Sequence, residues 1–281
     1  MIERIDHLDD PRLDDYRNVP DPELIERRGV FVAEGRLVVR RLLTAARMKT
    51  RSVMLTDAAR ASMQDVLDAR PDVPVYLVPP PFMQAITGFN IHRGCLAIGE
   101  RPAACHWRTL ARGARRLVIL ERVGNADNVG AVFRNAAAFG VDAVLLERTS
   151  ADPLYRKAIR TSMGAALSIP FARIDPWPDA LRLLRDDAVR VVGLTPAEGT
   201  PTLAETIDSF KDRRVAFVVG HEGEGLTREA MDACDLLVRI PMATDVDSLN
   251  VATASAIALY EVARAGGPPE GGPHDRGNLE P

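Results

Sequence analysis

The chain has 281 residues, 46% of them hydrophobic and 27% charged, and a formal net charge of −3. This composition excludes a disordered protein and leaves room for two domains, while the small net charge excludes indiscriminate nucleic-acid binding through bulk charge. The opening MIERIDHLDD is too acidic for a signal peptide, and no apolar run reaches the roughly 18 residues of a membrane span, so a cytoplasmic location without a membrane partner is expected.

Residues 1–100 begin with an acidic leader containing Asp6, Asp9, Asp10, Asp14 and Asp15. Short apolar runs at Val53–Leu55, Val75–Val78 and Cys95–Ile98 then alternate with helical patterns at Arg36–Met48 and Ala58–Ala69, which reads as a small α/β domain. Arginines gather at Arg36, Arg40, Arg41, Arg47 and Arg51, and again at Arg101, Arg108, Arg112, Arg115 and Arg116. Such clusters are either solvated helix faces or local surfaces for phosphates. Cys95, Cys105 and Cys234 are scattered with no C-x-x-C pair, so neither a disulfide framework nor a zinc site is supported, and small buried residues or inert thiols are expected. Residues 101–115, with Pro102, several arginines and Gly113 but no apolar period, read as a linker with room for one helical turn.

A second domain is expected over residues 116–265. Its strand candidates, Leu117–Leu120, Ala143–Leu146, Val189–Leu194, Val215–Val219 and Leu236–Ile240, are near-continuous apolar runs, the pattern of parallel strands covered on both faces. In open parallel sheets ligands sit beyond the carboxyl ends of the strands. Those ends read Thr195-Pro196, Gly220-His221-Glu222 and Pro241-Met242, and they nominate one pocket. Pro241 stops the last strand, and Ser248 is placed to cap a helix from about Leu249 to Arg264 that is apolar nearly all round, as in a core or a subunit interface. The Gly- and Pro-rich stretch 266–281 has no core-forming residues and is expected to be disordered.

Three stretches carry chemistry. NADNVGAVFR, residues 125–134, follows the first strand of this domain and opens a helix that ends at Gly140. Arg134 shares a helical face with Asp127, Ala131 and Ala138, so its guanidinium is either a surface charge or reaches a pocket past small residues. Asn128 is off that face if it is already helical, and a cap if it is not. The stretch GHEGEG, 220–225, lacks the Lys of a P-loop and the spacing of a dinucleotide fingerprint, so neither ATP nor NAD is supported and a nicotinamide-dependent oxidoreductase is disfavoured. Its glycines still let the backbone approach a ligand closely, and Glu222 could orient a cation such as Arg134, whereas His221 alone is more often structural. Finally, Asp245, Asp247, Ser248 and Asn250 crowd the amino end of the last helix, where unpaired N–H groups suit a carboxylate or phosphate.

In this order the three stretches, N-V-G-A-V-F-R, V-G-x-E-x-x-G-L and I-P-M…D-S-L-N-V-A-x-A…Y-E, resemble the three motifs of the SpoU or TrmH branch of the SPOUT RNA methyltransferases. The resemblance covers Leu117 to about Arg264, and Phe31-Val-Ala-Glu-Gly35 to His92-Arg-Gly94 looks like the small substrate-binding domain often fused ahead of it. It implies an α/β parallel sheet with a carboxyl-terminal trefoil knot, S-adenosylmethionine as donor, no metal, a homodimer with the active site at its interface, and methyl transfer to a ribose 2′-hydroxyl of tRNA or rRNA. By motif position, Gly220, Ile240 and Leu249 would hold the donor, with Leu194, Thr195 and Met242 nearby. Asn128, Arg134, Glu222, Ser248 and Asn250 would form the polar catalytic set. Arg156, Lys157 and Arg160, with Arg36 and Arg93 of the small domain, would meet RNA. A non-catalytic RNA-binding protein keeping the same fold is the rival, disfavoured because every polar motif position is filled.

Overall fold

The computed structural model describes residues 2–17, 19–88, 94–243 and 245–266. The chain forms two sheets in succession. The first half contains β1 (Ile2–Arg4), α1 (Asp21–Arg27), β2 (Val30–Glu34), α2 (Arg36–Thr44), β3 (Lys49–Leu55), α3 (Asp57–Ala61), α4 (Gln64–Asp68), β4 (Val75–Leu77), α5 (Pro80–Thr87) and β5 (Cys95–Glu100). Its five strands lie in the order β1-β4-β3-β5-β2, with β5 antiparallel to both β2 and β3. One face is covered by α2 to α4 together with Leu154, Ile159 and Leu167 from the second half, and the other by Leu13, Tyr16, Leu24, Met83 and Ile86.

The second half contains α6 (Trp107–Gly113), β6 (Arg116–Leu120), α7 (Ala126–Ala138), β7 (Ala143–Leu146), α8 (Arg156–Thr161), β8 (Phe171–Arg173), α9 (Asp179–Asp186) and β9 (Arg190–Leu194). It continues through α10 (Leu203–Thr206), β10 (Val215–Val219), α11 (Arg228–Ala233), β11 (Leu236–Val238) and α12 (Val251–Ala265). All six strands are parallel, in the order β11-β9-β10-β6-β7-β8. Helices α7 and α12 cover one face and α6, α9 and α11 the other, which is why the central strands read as unbroken apolar runs.

Several elements depart from the sequence expectation for local reasons. The helix expected at Ala58–Ala69 is two short helices, because the Ser62 hydroxyl donates back to the Ala59 carbonyl (2.8 Å) and Arg40 takes the Ser62 carbonyl (3.1 Å). The helix expected at Arg36–Met48 ends at Thr44, where Ala45 turns extended. Strands β1 and β8 are three-residue edge strands, too short to show a period. The stretch expected as a linker holds the two-turn helix α6, which buries Trp107 and Ala111 against the second sheet. Residues 267–281, where disorder was expected, lie outside the described residues.

Candidate active site

The first and second motifs meet the third at the carboxyl ends of β6 and β10. The chain leaves β6 through Arg122, whose φ of 58° is in the left-handed region that a non-glycine residue enters at a cost of order 1–3 kcal/mol. Asn125 then caps α7, its side-chain oxygen accepting from the Asp127 N–H (2.9 Å). Asn128 is therefore helical, in the first turn, rather than a cap.

From there a chain of hydrogen bonds crosses the site. The Asn128 amide donates to Glu222 Oε1 at 2.8 Å, and its oxygen accepts from the Asn250 amide at 2.9 Å. The oxygen of Asn250 in turn accepts from the N–H groups of Ala252 (2.9 Å) and Thr253 (3.4 Å). The order is forced: a carboxylate only accepts, so Asn128 must turn its NH2 toward Glu222 and its oxygen toward Asn250. The result is a polarised relay from the amino end of α12 to the Glu222 carboxylate.

Two expectations are corrected here. Asn250, not Ser248, caps the last helix, which starts at Val251 rather than Leu249. Ser248 is exposed and makes no hydrogen bond with the described residues. Nor does Glu222 hold Arg134. Six residues separate Asn128 from Arg134, about 120° round a helix of 3.6 residues per turn, so the two side chains leave on different faces. Arg134 is exposed and forms neither an ion pair nor a hydrogen bond among the described residues.

The loop after β10 is built tightly. His221 and Gly225 exchange two backbone hydrogen bonds (3.1 and 2.9 Å), and His221 Nδ1 accepts from the N–H groups of Gly223 (3.1 Å) and Glu224 (3.2 Å), so this histidine shapes the loop. A Cβ on Gly220 would stand 2.3 Å from the Gly225 carbonyl carbon, which no side chain tolerates. The ion pair Arg122–Glu224 (2.7 Å) ties the loop to the end of β6. Beneath it lies Glu121, fully buried, accepting from Trp177 Nε1 (2.8 Å) and from the Thr227 N–H (2.9 Å) and hydroxyl (2.6 Å). Sequence reasoning missed Glu121, Arg122 and Asn125. The available signal was an acidic residue placed directly after an apolar strand.

The six residues expected around the donor, Leu194, Thr195, Gly220, Ile240, Met242 and Leu249, are all partly buried at the ends of β9 and β10 or in the segment after β11. Thr195 is spent on structure, its N–H donating to the Val238 carbonyl (3.0 Å). By contrast, the backbone groups of Gly220, Ile240, Met242 and Leu249 form no hydrogen bond with the described residues, so their donors and acceptors are left open there. That arrangement fits a ligand held through the backbone.

The basic set is divided. Arg156 is turned inward, pairing with Asp21 (2.7 Å) and donating to the Val19 carbonyl (3.0 Å), so it ties α8 to the first half of the chain. Lys157 pairs with Asp127 (2.8 Å), and that contact with the Thr161 hydroxyl holds the Asp127 carboxyl below its ordinary pKa. Arg160 and Arg36 are exposed, and Arg93 lies outside the described residues. Gly130, in the first motif, serves packing: a Cβ there would stand 2.4 Å from the Ala158 carbonyl oxygen, so it lets α7 and α8 touch. Burial pushes the Cys95 and Cys234 thiols up to about 12, which makes them inert. No helix among the described residues is long and apolar enough to cross a membrane.

Comparison with known proteins shows the family. Residues 115–260 match the profile of the SpoU rRNA Methylase family. An uncharacterized tRNA/rRNA methyltransferase of Mycobacterium tuberculosis is 42% identical over 262 residues, covering 92% of this chain and 90% of that one. A 23S rRNA (guanosine-2′-O-)-methyltransferase of Bordetella pertussis is 36% identical over 62% of this chain and 71% of its own length. The crystal structure of an AdoMet-bound rRNA methyltransferase from Sinorhizobium meliloti superimposes with a TM-score of 0.79 at 25% identity, over 94% of this chain and 98% of that one. The chain therefore belongs to the SpoU rRNA methylase family and is an RNA methyltransferase.

Proposed function

We propose that this protein transfers a methyl group from S-adenosylmethionine to a ribose 2′-hydroxyl of ribosomal RNA. The observation that carries the reading is the relay Glu222–Asn128–Asn250 at the carboxyl end of a parallel sheet, together with four backbone positions that have no partner among the described residues. The related 23S rRNA enzyme and the AdoMet-bound structure support the choice of substrate and donor. When bound, S-adenosylmethionine supplies an electrophilic methyl, and what the protein must add is an oxygen held in line with it.

Gly220, Ile240, Met242 and Leu249 hold the donor through main-chain groups, with Leu194 and Thr195 beside them. Glu222, Asn128 and Asn250 fix the amino end of α12 and the loop after β10, so this wall of the pocket is set before substrate arrives. Arg134 anchors the phosphate next to the target ribose. A guanidinium keeps its protons at physiological pH, so it positions and polarises rather than acting as the base, and a phosphate oxygen or water takes the hydroxyl proton. Ser248 completes the ribose side. Lys157, Arg160 and Arg36 meet the flanking phosphates, and residues 1–100 form the small domain that selects the RNA.

Arg134 has no side-chain partner among the described residues, which fits a site completed across a homodimer. A face of α7 and α12 supports that assembly. Tyr260 is 51% exposed against Phe139, while Ala137, Ala138, Ala256 and Ile257 stay at least partly uncovered. The family's knot is part of the same proposal. Arg239 bonds to Pro201 and Leu203 at the sheet edge, and eleven positions further on Asn250 bonds to Asn128 near its centre, two anchors that support this reading.

The decisive experiment is incubation with labelled S-adenosylmethionine and separated rRNA and tRNA from a strain lacking the protein, with ribose methylation mapped by resistance to alkaline cleavage. Label at one alkali-resistant position in rRNA is expected. Label in tRNA alone overturns the substrate, and donor binding without transfer to either RNA supports the non-catalytic reading.

A further inference from the structure

Away from the relay, a cleft of about 460 Å3 separates the two halves of the molecule. It is lined by the loop between α2 and β3 at Arg47, by the connector Arg101–Trp107, and by edge strand β8 with Phe171 and Arg173. This volume lies within the roughly 300–1,000 Å3 of sites that hold small ligands.

The cleft has an excess of cationic donors. Arg101 pairs with Asp152 (2.8 Å), and Arg173, which donates to the Glu147 (3.0 Å) and Ser150 (2.8 Å) carbonyls, stands 3.7 Å from the same carboxylate, so one carboxylate serves two guanidinium groups. The other terminal nitrogen of Arg101 is buried without an acceptor among the described residues. Desolvation and the neighbouring Arg101 hold Arg173 below its ordinary pKa, against the pull of Asp152. Arg47 is exposed and forms no ion pair or hydrogen bond among the described residues. Among the residues lining the cleft, Asp175 is the carboxylate.

An exposed ring completes the set. His106 stacks on the buried Trp107 indole (5.8 Å, 23° between planes), and Arg108 lies on that indole at 5.3 Å. His106 Nδ1 accepts from the Arg108 N–H (3.2 Å) and so caps α6, which fixes the ring's orientation. His106 is exposed and stacks on no ring other than Trp107 among the described residues. Arginines that hold a phosphate beside a ring that stacks a base are the recognition chemistry of single-stranded RNA.

We propose that this cleft binds one nucleotide of single-stranded RNA, its phosphate among Arg47, Arg101 and Arg173 and its base against His106. The inference rests on the chain acting on RNA. It makes the connector a reader of substrate rather than a spacer, at a place distinct from the relay.

The test is fluorescence anisotropy with a labelled mixed-sequence single-stranded oligoribonucleotide, titrated at several salt concentrations. Arg47→Ala is expected to weaken binding several-fold and to lower the salt slope by about one. His106→Asn keeps a capping side chain but removes the ring, and is expected to weaken binding several-fold with the slope unchanged. S-adenosylmethionine affinity, measured by calorimetry, should be the same in all three proteins. Wild-type affinity and slope in both variants, or no oligonucleotide binding by the wild type, overturns the cleft. Methyl transfer is assayed in parallel: if it is absent while the Arg47→Ala deficit persists, the methyltransferase reading fails and the cleft stands.

Discussion

The two sides of the active site are built differently. On one side Glu222, Asn128, Asn250 and Asn125 bond to one another and to helix ends, so each of these side chains has at least one partner before any ligand arrives. On the other side Arg134 and Ser248, and the backbone at Gly220, Ile240, Met242 and Leu249, have none among the described residues. The difference teaches which groups position and which groups touch. A side chain satisfied within the fold costs stability when removed, whereas one left open costs function alone.

The comparison breaks first at Arg134. Arg134→Ala should lower single-turnover methyl transfer by about 100- to 1,000-fold, the range for losing one preorganised electrostatic contact. Because the Arg134 side chain bonds to none of the described residues, thermal stability should stay within about 0.5 kcal/mol of wild type, and donor affinity should not move. Equal losses of turnover and donor affinity would sink its placement on the phosphate. Gly220→Ala comes next. Its new Cβ meets main-chain atoms of Gly225, so the loop after β10 must shift, and calorimetry should show donor affinity weakened at least about tenfold, or 1.4 kcal/mol. Unchanged affinity would remove Gly220 from the donor wall.

How much of this was legible in the sequence follows the same division. The parallel strands were readable because burial on both faces makes them continuous apolar runs, and the motif residues were readable as residue types at strand ends. Who bonds to whom was not. The sequence expectation paired Glu222 with Arg134 by charge, and the fold pairs it with Asn128 because helical phase puts Arg134 about 120° away. Ser248 and Asn250 are both good caps, and only the backbone angle at Asn250 decides between them. Arg156 read as an RNA contact because Asp21, its ion-pair partner, is 135 residues earlier in the chain. The small edge strands β1 and β8 carried no period at all.

On the satisfied side, effects should be smaller and should appear in stability as well. Glu222→Ala leaves the Asn128 amide without its acceptor, which should cost about 1 kcal/mol in denaturant unfolding together with roughly tenfold in turnover. Glu222→Gln restores an acceptor and should recover most of the stability. Asn250→Ala removes the cap of α12 and should cost about 1 kcal/mol, while Ser248→Ala should leave unfolding unchanged. If Ser248→Ala were the more damaging of the two in unfolding, the assignment of the cap would be wrong.

The smallest effect concerns the joint between α7 and α8. Asp127 bonds to Lys157 and to the Thr161 hydroxyl, and those contacts lower its carboxyl below the ordinary 3.8. A carboxyl lowered by folding stabilises the native state above its unfolded pKa, and that contribution is lost as pH falls through the lower folded value. The Asp127 side chain is 41% exposed, so the solvent-screened pair is worth at most about 1 kcal/mol. Asp127→Asn should therefore melt slightly below wild type at neutral pH, and the two curves should converge on acidification below about 3.8. Added salt at neutral pH should narrow the same gap, because screening weakens an exposed ion pair but leaves a hydrogen bond to Thr161 largely intact. A gap that persists unchanged in acid and in salt would mean that Asp127 joins α7 to α8 by packing or by the threonine alone. Gly130, which already brings those helices into contact, would then be the stronger clamp on the wall that carries Asn128.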